Sequence, residues 1–168
     1  MKPSAVWAST ACATGRPFTG DHAGILLYRT LHAHGFATRP ESVSRDDGLR
    51  LKRARITNAV KCLPPQNKPL GEEIATCNPF LRRELAQLPQ GAVVLALGSI
   101  AHTAVLKALG LRLKDHPFGH GRRYALPNGQ CLIDSYHCSR YNTQTRRLTR
   151  DMFNAVFARV TRLLRVTG

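Results

Sequence analysis

Ala92-Val93-Val94-Leu95-Ala96-Leu97 is a run without a single polar side chain, closed by Gly98. A strand that is apolar on both sides of its pleat has to be covered on both faces, which is the signature of a buried parallel strand. Parallel neighbours need crossover connections, and helices supply them. The rest of the chain provides the alternation. Ala23 to His34 has apolar positions at Ile25, Leu26, Leu27 and Leu31 and stops at Gly35. Arg55 to Cys62 reads as a strand running into the Leu63-Pro64-Pro65 break. Glu72 to Leu88 is helical, with a fresh helix expected at Asn78-Pro79, since Asn caps and Pro suits a first turn. Ser99 is expected to cap a helix through Leu109, and Cys131 to Tyr136 forms a last strand ending at His137. Thr149 to Leu164 carries Met152, Phe153, Val156, Phe157, Val160, Leu163 and Leu164, a stripe of helical period with arginines on the other side. This order predicts an α/β fold: an open, mostly parallel sheet between two helical layers. Ligands of such sheets bind at the carboxyl ends of the strands, where Asn58, Gly98 and His137 fall.

Composition narrows the partner. The chain has 168 residues, a length that suits one domain, with 25 Lys and Arg against 10 Asp and Glu. The net charge of +15 points to a polyanion, nucleic acid before others, because neutralised phosphates release counterions. An apolar content of 43% excludes a disordered tail. No apolar run reaches the ~18–20 residues that span a bilayer. The opening residues lack the apolar core of a secretory signal, so a cytoplasmic protein without membrane partners is expected. The five cysteines, Cys12, Cys62, Cys77, Cys131 and Cys138, are an odd number. With no export signal they read as core thiols, metal ligands or a mixture.

Three stretches together resemble the uracil-DNA glycosylase superfamily: GRPFTGDHAG (15–24), ITNAVKCLPPQNKP (56–69) and HCSRYNTQT (137–145). The last, with Ser two and Asn five residues after His, is similar to family 5, the type-B broad-specificity branch. The resemblance implies a three-layer αβα sandwich over residues 15–168 and an enzyme that hydrolyses the bond between a damaged base and its sugar. Its substrate would be DNA carrying uracil or other deaminated bases, handled by a monomer. Such enzymes take the nucleotide out of the stack and hold the base in a pocket.

The residue roles follow from that resemblance. His137 would donate to a carbonyl of the departing base, and Asp21 would steady the positive sugar and position water. Phe18 would stack on the extruded base, and Asn58 would pair with its edge. Ser139, Arg140 and Asn142 suit phosphate contacts, which place DNA without reading sequence. Arg146, Arg147 and Arg150 would extend that surface, with Gly119 to Arg123 as a further basic loop. Taken alone, each has a plainer reading: His137 as a structural histidine, Asp21 as a helix N-cap, Phe18 as core, Asn58 as a turn former.

Cys62 and Cys77 match the downstream pair of the four thiolates that hold a [4Fe-4S] cluster in this branch. Such clusters normally need all four, and the family's upstream C-x2-C has no counterpart here, so an incomplete or absent cluster is expected. The family also opens on an interior strand ending in a GLAP-like motif, which VWASTACA (6–13) does not match. Residues 1–14 are therefore set apart as atypical, and the sheet is expected to lack its first strand. On that ground a competing reading is a catalytically impaired remnant that only binds nucleic acid. A nucleotide-handling enzyme of a doubly wound fold is a third, disfavoured because no phosphate-binding glycine loop is present.

Overall fold

A computed structural model of the chain describes residues 5–8, 16–59 and 71–166. Strand β1 (Ala5–Ala8) is followed by helix α1 (His22–Ala33), β2 (Ala54–Thr57) and α2 (Gly71–Ala86). Then come β3 (Val93–Leu97), α3 (Ser99–Ala108), β4 (Arg123–Ala125), β5 (Cys131–Ser135), α4 (Arg140–Gln144) and α5 (Arg150–Val166). The sheet order is β2-β1-β3-β5-β4. The first four of these strands are mutually parallel, and β4 alone is antiparallel, against β5.

The all-apolar run behaves as its composition requires. Val93, Leu95 and Leu97 face the layer of α1 and α5, packing with Leu27, Leu31, Phe153 and Phe157. Val94 and Ala96 face the layer of α2 and α3, with Leu81, Leu85, Val105 and Leu106. Neighbouring β5 divides the same way, Ile133 to the first face and Leu132 to the second. On α5 the buried residues are Phe153, Val156, Phe157, Val160 and Leu164, the expected stripe. The three-layer α/β sandwich is the observed architecture.

Several expectations are corrected. The first strand is not missing. Ala5–Ala8 pairs in register with β2 on one side and β3 on the other, at the interior position the family pattern reserves for it. Four residues are too few to display a period, and ladder bonds to two neighbours supply what patterning does not. Asn78-Pro79 starts no new helix. Pro79 lies inside a continuous α2, while the Asn78 amide donates across to the Ala104 carbonyl of α3 at 2.8 Å instead of capping. Proline there removes one backbone bond, and packing of Leu81 and Leu85 into the core carries the helix through it. The cap of α3 is the Gly98 backbone at φ 95°, with no side-chain bond from Ser99. β4 was not foreseen; it is a short edge strand, Arg-Tyr-Ala, of the kind that blunts an exposed ladder. Residues 60–62 of the expected second strand lie outside the described residues.

Behind the sheet edge sits a buried ionic pair that sequence reading did not single out. His102 on α3 meets Asp134 on β5, Nδ1 to Oδ1 2.7 Å, with both side chains almost fully buried. Its Nε2 lies 2.8 Å from the His116 carbonyl, so both ring nitrogens face acceptors and the doubly protonated ring satisfies both. Burial opposes that charge, but the Asp134 hydrogen bond and charge outweigh it and hold the His102 pKa above the ordinary imidazole value. A raised folded pKa means stability fully present below about 6.5, the ordinary value, and lost as pH rises through the folded one. The non-titrating His102→Gln should therefore cost about 2 kcal/mol at acid pH, with the gap to the parent narrowing in alkaline buffer. Urea denaturation at both ends of the range measures it, and a gap that stays constant would remove the ionic reading.

Candidate active site

The first site loop is built to hold an awkward backbone. Phe18 has φ 63°, in the left-handed region that non-glycine residues rarely adopt, and its side chain is buried. Its carbonyl passes directly over Gly24: a Cβ there would meet the Phe18 oxygen at 1.9 Å. Only glycine permits that approach. Asp21 then caps α1, its Oδ1 accepting from the Gly24 N–H at 2.6 Å, while the residue itself stays exposed. The Tyr28 hydroxyl, which burial keeps protonated by pushing its pKa up to about 12, donates to the Pro17 carbonyl at 2.7 Å.

Arg16 anchors the loop from below. Its guanidinium bonds both Asp47 oxygens at 2.9 Å, the Ser42 hydroxyl at 2.9 Å and the Arg45 carbonyl at 3.1 Å. Burial raises the Asp47 carboxyl, but the Leu49 N–H, Arg16 and the Val43 and Ser44 N–H groups more than offset it, leaving its pKa well below the usual carboxylate range. Ser42 also meets the Thr19 hydroxyl at 2.8 Å, and its carbonyl accepts from Gly20 N–H at 3.2 Å. The polar segment 38–50 is thus the floor of the loop.

The second half comes from the end of β5. His137 follows it by two residues, half-buried, with its ring centroid 5.8 Å from that of Phe18 and the planes at 46°. Gly98 lies behind it, where a Cβ would come within 3.3 Å of the His137 Cβ. The Asn142 amide donates to the His137 carbonyl at 2.8 Å, and Ser139 Oγ caps α4 by accepting from Asn142 N–H at 3.4 Å. Tyr136, the residue before it, is stacked on His120 (centroids 5.0 Å, 22°), lies under the Arg147 guanidinium at 4.9 Å, and donates its N–H to His120 Nδ1 at 3.1 Å. The two halves are joined where His22 Nε2 meets Thr143 Oγ1 at 3.1 Å.

Burial lowers the His137 pKa and the Asp21 charge only partly restores it, so the ring is neutral near pH 7. Among the described residues neither ring nitrogen has a hydrogen-bond partner. Phe18, Asp21 and His137 are brought together. Asn58 stands half-buried on the same carboxyl rim, past the end of β2, three strand spacings or about 14 Å from β5 in the sheet order. Ser139 Oγ and the Asn142 side-chain amide each make one bond that shapes the His137 loop, whereas Arg140 projects from the first turn of α4 into solvent. Of the basic loop 119–123, His120 is turned inward to Tyr136.

Cys62 lies outside the described residues, and Cys77 is buried on α2, in the core beneath the second face of the sheet. Cys138, fully buried on the opposite face, has its thiol pushed up to about 12 by burial, and Cys131 packs on that same opposite face with its pKa raised by burial. Among the described residues no three His, Cys, Asp or Glu side chains converge to hold a metal. Even with Cys12 and Cys62, the cysteines not committed to the opposite face number three, so the residues present do not fit a four-thiolate cluster.

A neutral imidazole, an aromatic face and a carboxylate on the carboxyl rim of a parallel sheet make a site for a flat polar ring beside a centre of developing positive charge. The family model of the uracil DNA glycosylase superfamily matches residues 3–161. The chain belongs to that superfamily, whose members are hydrolases that act on glycosidic bonds in DNA. It is similar to the type-5 uracil-DNA glycosylase of Thermus thermophilus, 51% identical over 150 residues that make up 89% of this chain and 68% of that protein. The type-5 enzymes of Pyrobaculum aerophilum and Mycobacterium tuberculosis are 43% and 40% identical, over 87% and 93% of this chain and 63% and 59% of theirs. The chain thus spans about two thirds or less of the length of the curated relatives it matches. No helix among the described residues is long and apolar enough to cross a membrane.

Arg16 and Asp47 are the test of the loop's foundation. The pair is partly buried, with Arg16 18% exposed. Removing one partner should therefore cost less than the ~3–5 kcal/mol of a fully buried pair, and Arg16→Ala should lower the melting temperature by about 5 °C for a chain of this size. In a double-mutant cycle with Asp47→Asn the second substitution should cost far less than it does alone; additive losses would mean that the pair does not hold the loop.

Proposed function

We propose that this chain is a monofunctional DNA glycosylase that removes uracil and related deaminated bases by hydrolysis. The observation that carries it is His137: a neutral imidazole with both nitrogens uncommitted among the described residues, facing the Phe18 ring and lying in the field of Asp21. An extruded pyrimidine stacks on Phe18, where an aromatic face contributes about 1–3 kcal/mol per base. Asn58 offers an amide and a carbonyl to its edge. The bond from C1′ to the base nitrogen breaks with its electron pair going to the base, and the His137 N–H donates to the carbonyl oxygen on which that charge gathers. Asp21, whose cap bond to Gly24 fixes one oxygen and turns the carboxylate to the loop's mouth, steadies the sugar cation. It orients the water that adds to C1′ and takes its proton. The products are free base and an abasic sugar, with the DNA strand intact. Ser139, Arg140 and Asn142 are assigned to the flanking phosphates. Loose base discrimination follows from a pocket with one side-chain amide to read the ring edge. The interior pairing of β1 supports a competent frame over the remnant reading that a missing strand would favour.

In single-turnover assays on a uracil-containing oligonucleotide, His137→Ala should slow base release by about 10²–10³, the effect of losing one preorganised donor, and Asp21→Asn should also abolish most activity. Base release at parental rates by both would end the assignment. A neutral donor further predicts activity that holds as pH falls through the ordinary imidazole range and declines only below it, because the His137 pKa is lowered. Activity that climbs as pH falls there would mean that the imidazolium is the working form.

A further inference from the structure

Beside the pocket lies a groove of about 570 Å³ whose apolar floor no role above uses. One wall is α1; the other is α4 and the turn into α5. Its floor is apolar: Ile25, which is 50% exposed, with Leu26 and Leu148. Its rim carries Arg29, Arg146 and Arg150. Among the described residues Arg146 and Arg150 make no ion pair, and Arg29 only an exposed one with Glu41 at 3.5 Å. Arg146 holds φ 57° just past the end of α4, a conformation that glycine adopts at far less cost. His22 and Thr143 also line the groove, and their contact at 3.1 Å forms the partition between it and the segments bearing Asp21 and His137. The volume falls within the ~300–1,000 Å³ of ordinary ligand sites.

We propose that this groove is a second DNA subsite, holding one unstacked nucleotide of the lesion strand, next to the extruded base. Its base would lie over Ile25 and its phosphates between Arg146, Arg150 and Arg29. The combination argues for single-stranded DNA over other polyanions: an apolar floor takes a base face, the cationic rim takes its backbone, and the groove shares a wall with the pocket into which the neighbouring nucleotide turns. The inference rests on reading that pocket as a glycosylase site, and it makes single strands and frayed lesions better bound than intact duplex.

The test is fluorescence anisotropy with a labelled single-stranded oligonucleotide carrying one uracil, bound by protein with Asp21→Asn to prevent turnover. Adding Arg146→Ala with Arg150→Ala should raise the Kd at least tenfold and flatten the dependence of log Kd on log salt by about 1.4, at about 0.7 per phosphate contact on a single strand. Arg29→Gln with Arg150→Gln should act in the same direction. Arg162→Ala with Arg165→Ala, the same loss of charge about 18 Å or more along α5, should shift Kd less than twofold. Trimming the oligonucleotide up to the uracil on one side only should weaken binding to the parent and leave the groove variants unaffected. Parental Kd and salt slope in both groove pairs, or an equal loss from the remote pair, would overturn the proposal. Base release is measured separately on the chain with Asp21 intact: if it fails while the binding pattern appears, the glycosylase reading falls and the groove stands.

Discussion

The structure depends on a strand that cannot face water on either side. With Val93, Leu95 and Leu97 committed to one helical layer and Val94 and Ala96 to the other, β3 requires cover above and below and parallel neighbours on both edges. Parallel neighbours put the carboxyl ends of β2, β1, β3 and β5 along one rim. Each strand that ends on this rim is locked into one ladder, so polar side chains placed just beyond the strand ends are held without forming part of the core themselves. The position of the site is a consequence of where the apolar residues have to go.

The same economy governs the individual groups. Asp21 serves first as a helix cap; the bond to Gly24 N–H that stabilises α1 also fixes the carboxylate's direction. One oxygen is consumed by the fold and the other is left over, so the plain reading of this residue as a cap is compatible with the catalytic role proposed for it. His137 is tuned by burial against Phe18 and Gly98, which keeps the imidazole uncharged where an exposed one would begin to titrate. Neither effect needs a special residue at the reacting centre. Both need the loops to stay where they are.

What could be read from the sequence divides along physical lines. Long or wholly apolar segments announce themselves, as Ala92 to Leu97 and the stripe on α5 do, because burial leaves a period in the side chains. The motifs carrying Phe18, Asp21, Asn58 and His137 were legible through resemblance, and their placement on one rim followed from the strand order. β1 was not legible: its order comes from ladder bonds to two neighbours, which composition does not record. Pro79 misled because local propensity favours a break where tertiary packing of Leu81 and Leu85 imposes continuity. Arg16, Ser42 and Asp47 left no signal in the sequence, since a partly buried ion pair between residues 31 positions apart has no local pattern. Asp134 did leave a signal, a carboxylate inside the apolar strand Cys131-Leu132-Ile133-Asp134, which obliges a buried partner; His102 is that partner.

These two pairs, one partly and one fully buried, set how the loops can respond to pH. Arg16–Asp47 secures the Phe18–Asp21 loop, and with Asp47 held well below the usual carboxylate range it stays ionised through any mild acid condition. His102–Asp134 secures the segment 116–119 through the His116 carbonyl and the Gly119 N–H, which Asp134 Oδ2 accepts at 3.3 Å. That segment leads into His120, on which Tyr136 stacks immediately before His137. The loop bearing the carboxylate is therefore insensitive to alkali and resistant to acid, whereas the support of the loop bearing the imidazole weakens only as pH climbs past the raised pKa of His102. His137 titrates below the ordinary imidazole value, because burial dominates there, and His102 above it, because the Asp134 hydrogen bond and charge outweigh burial. The two imidazoles are thus driven in opposite directions by what each is buried against, one toward the neutral ring and the other toward the protonated one.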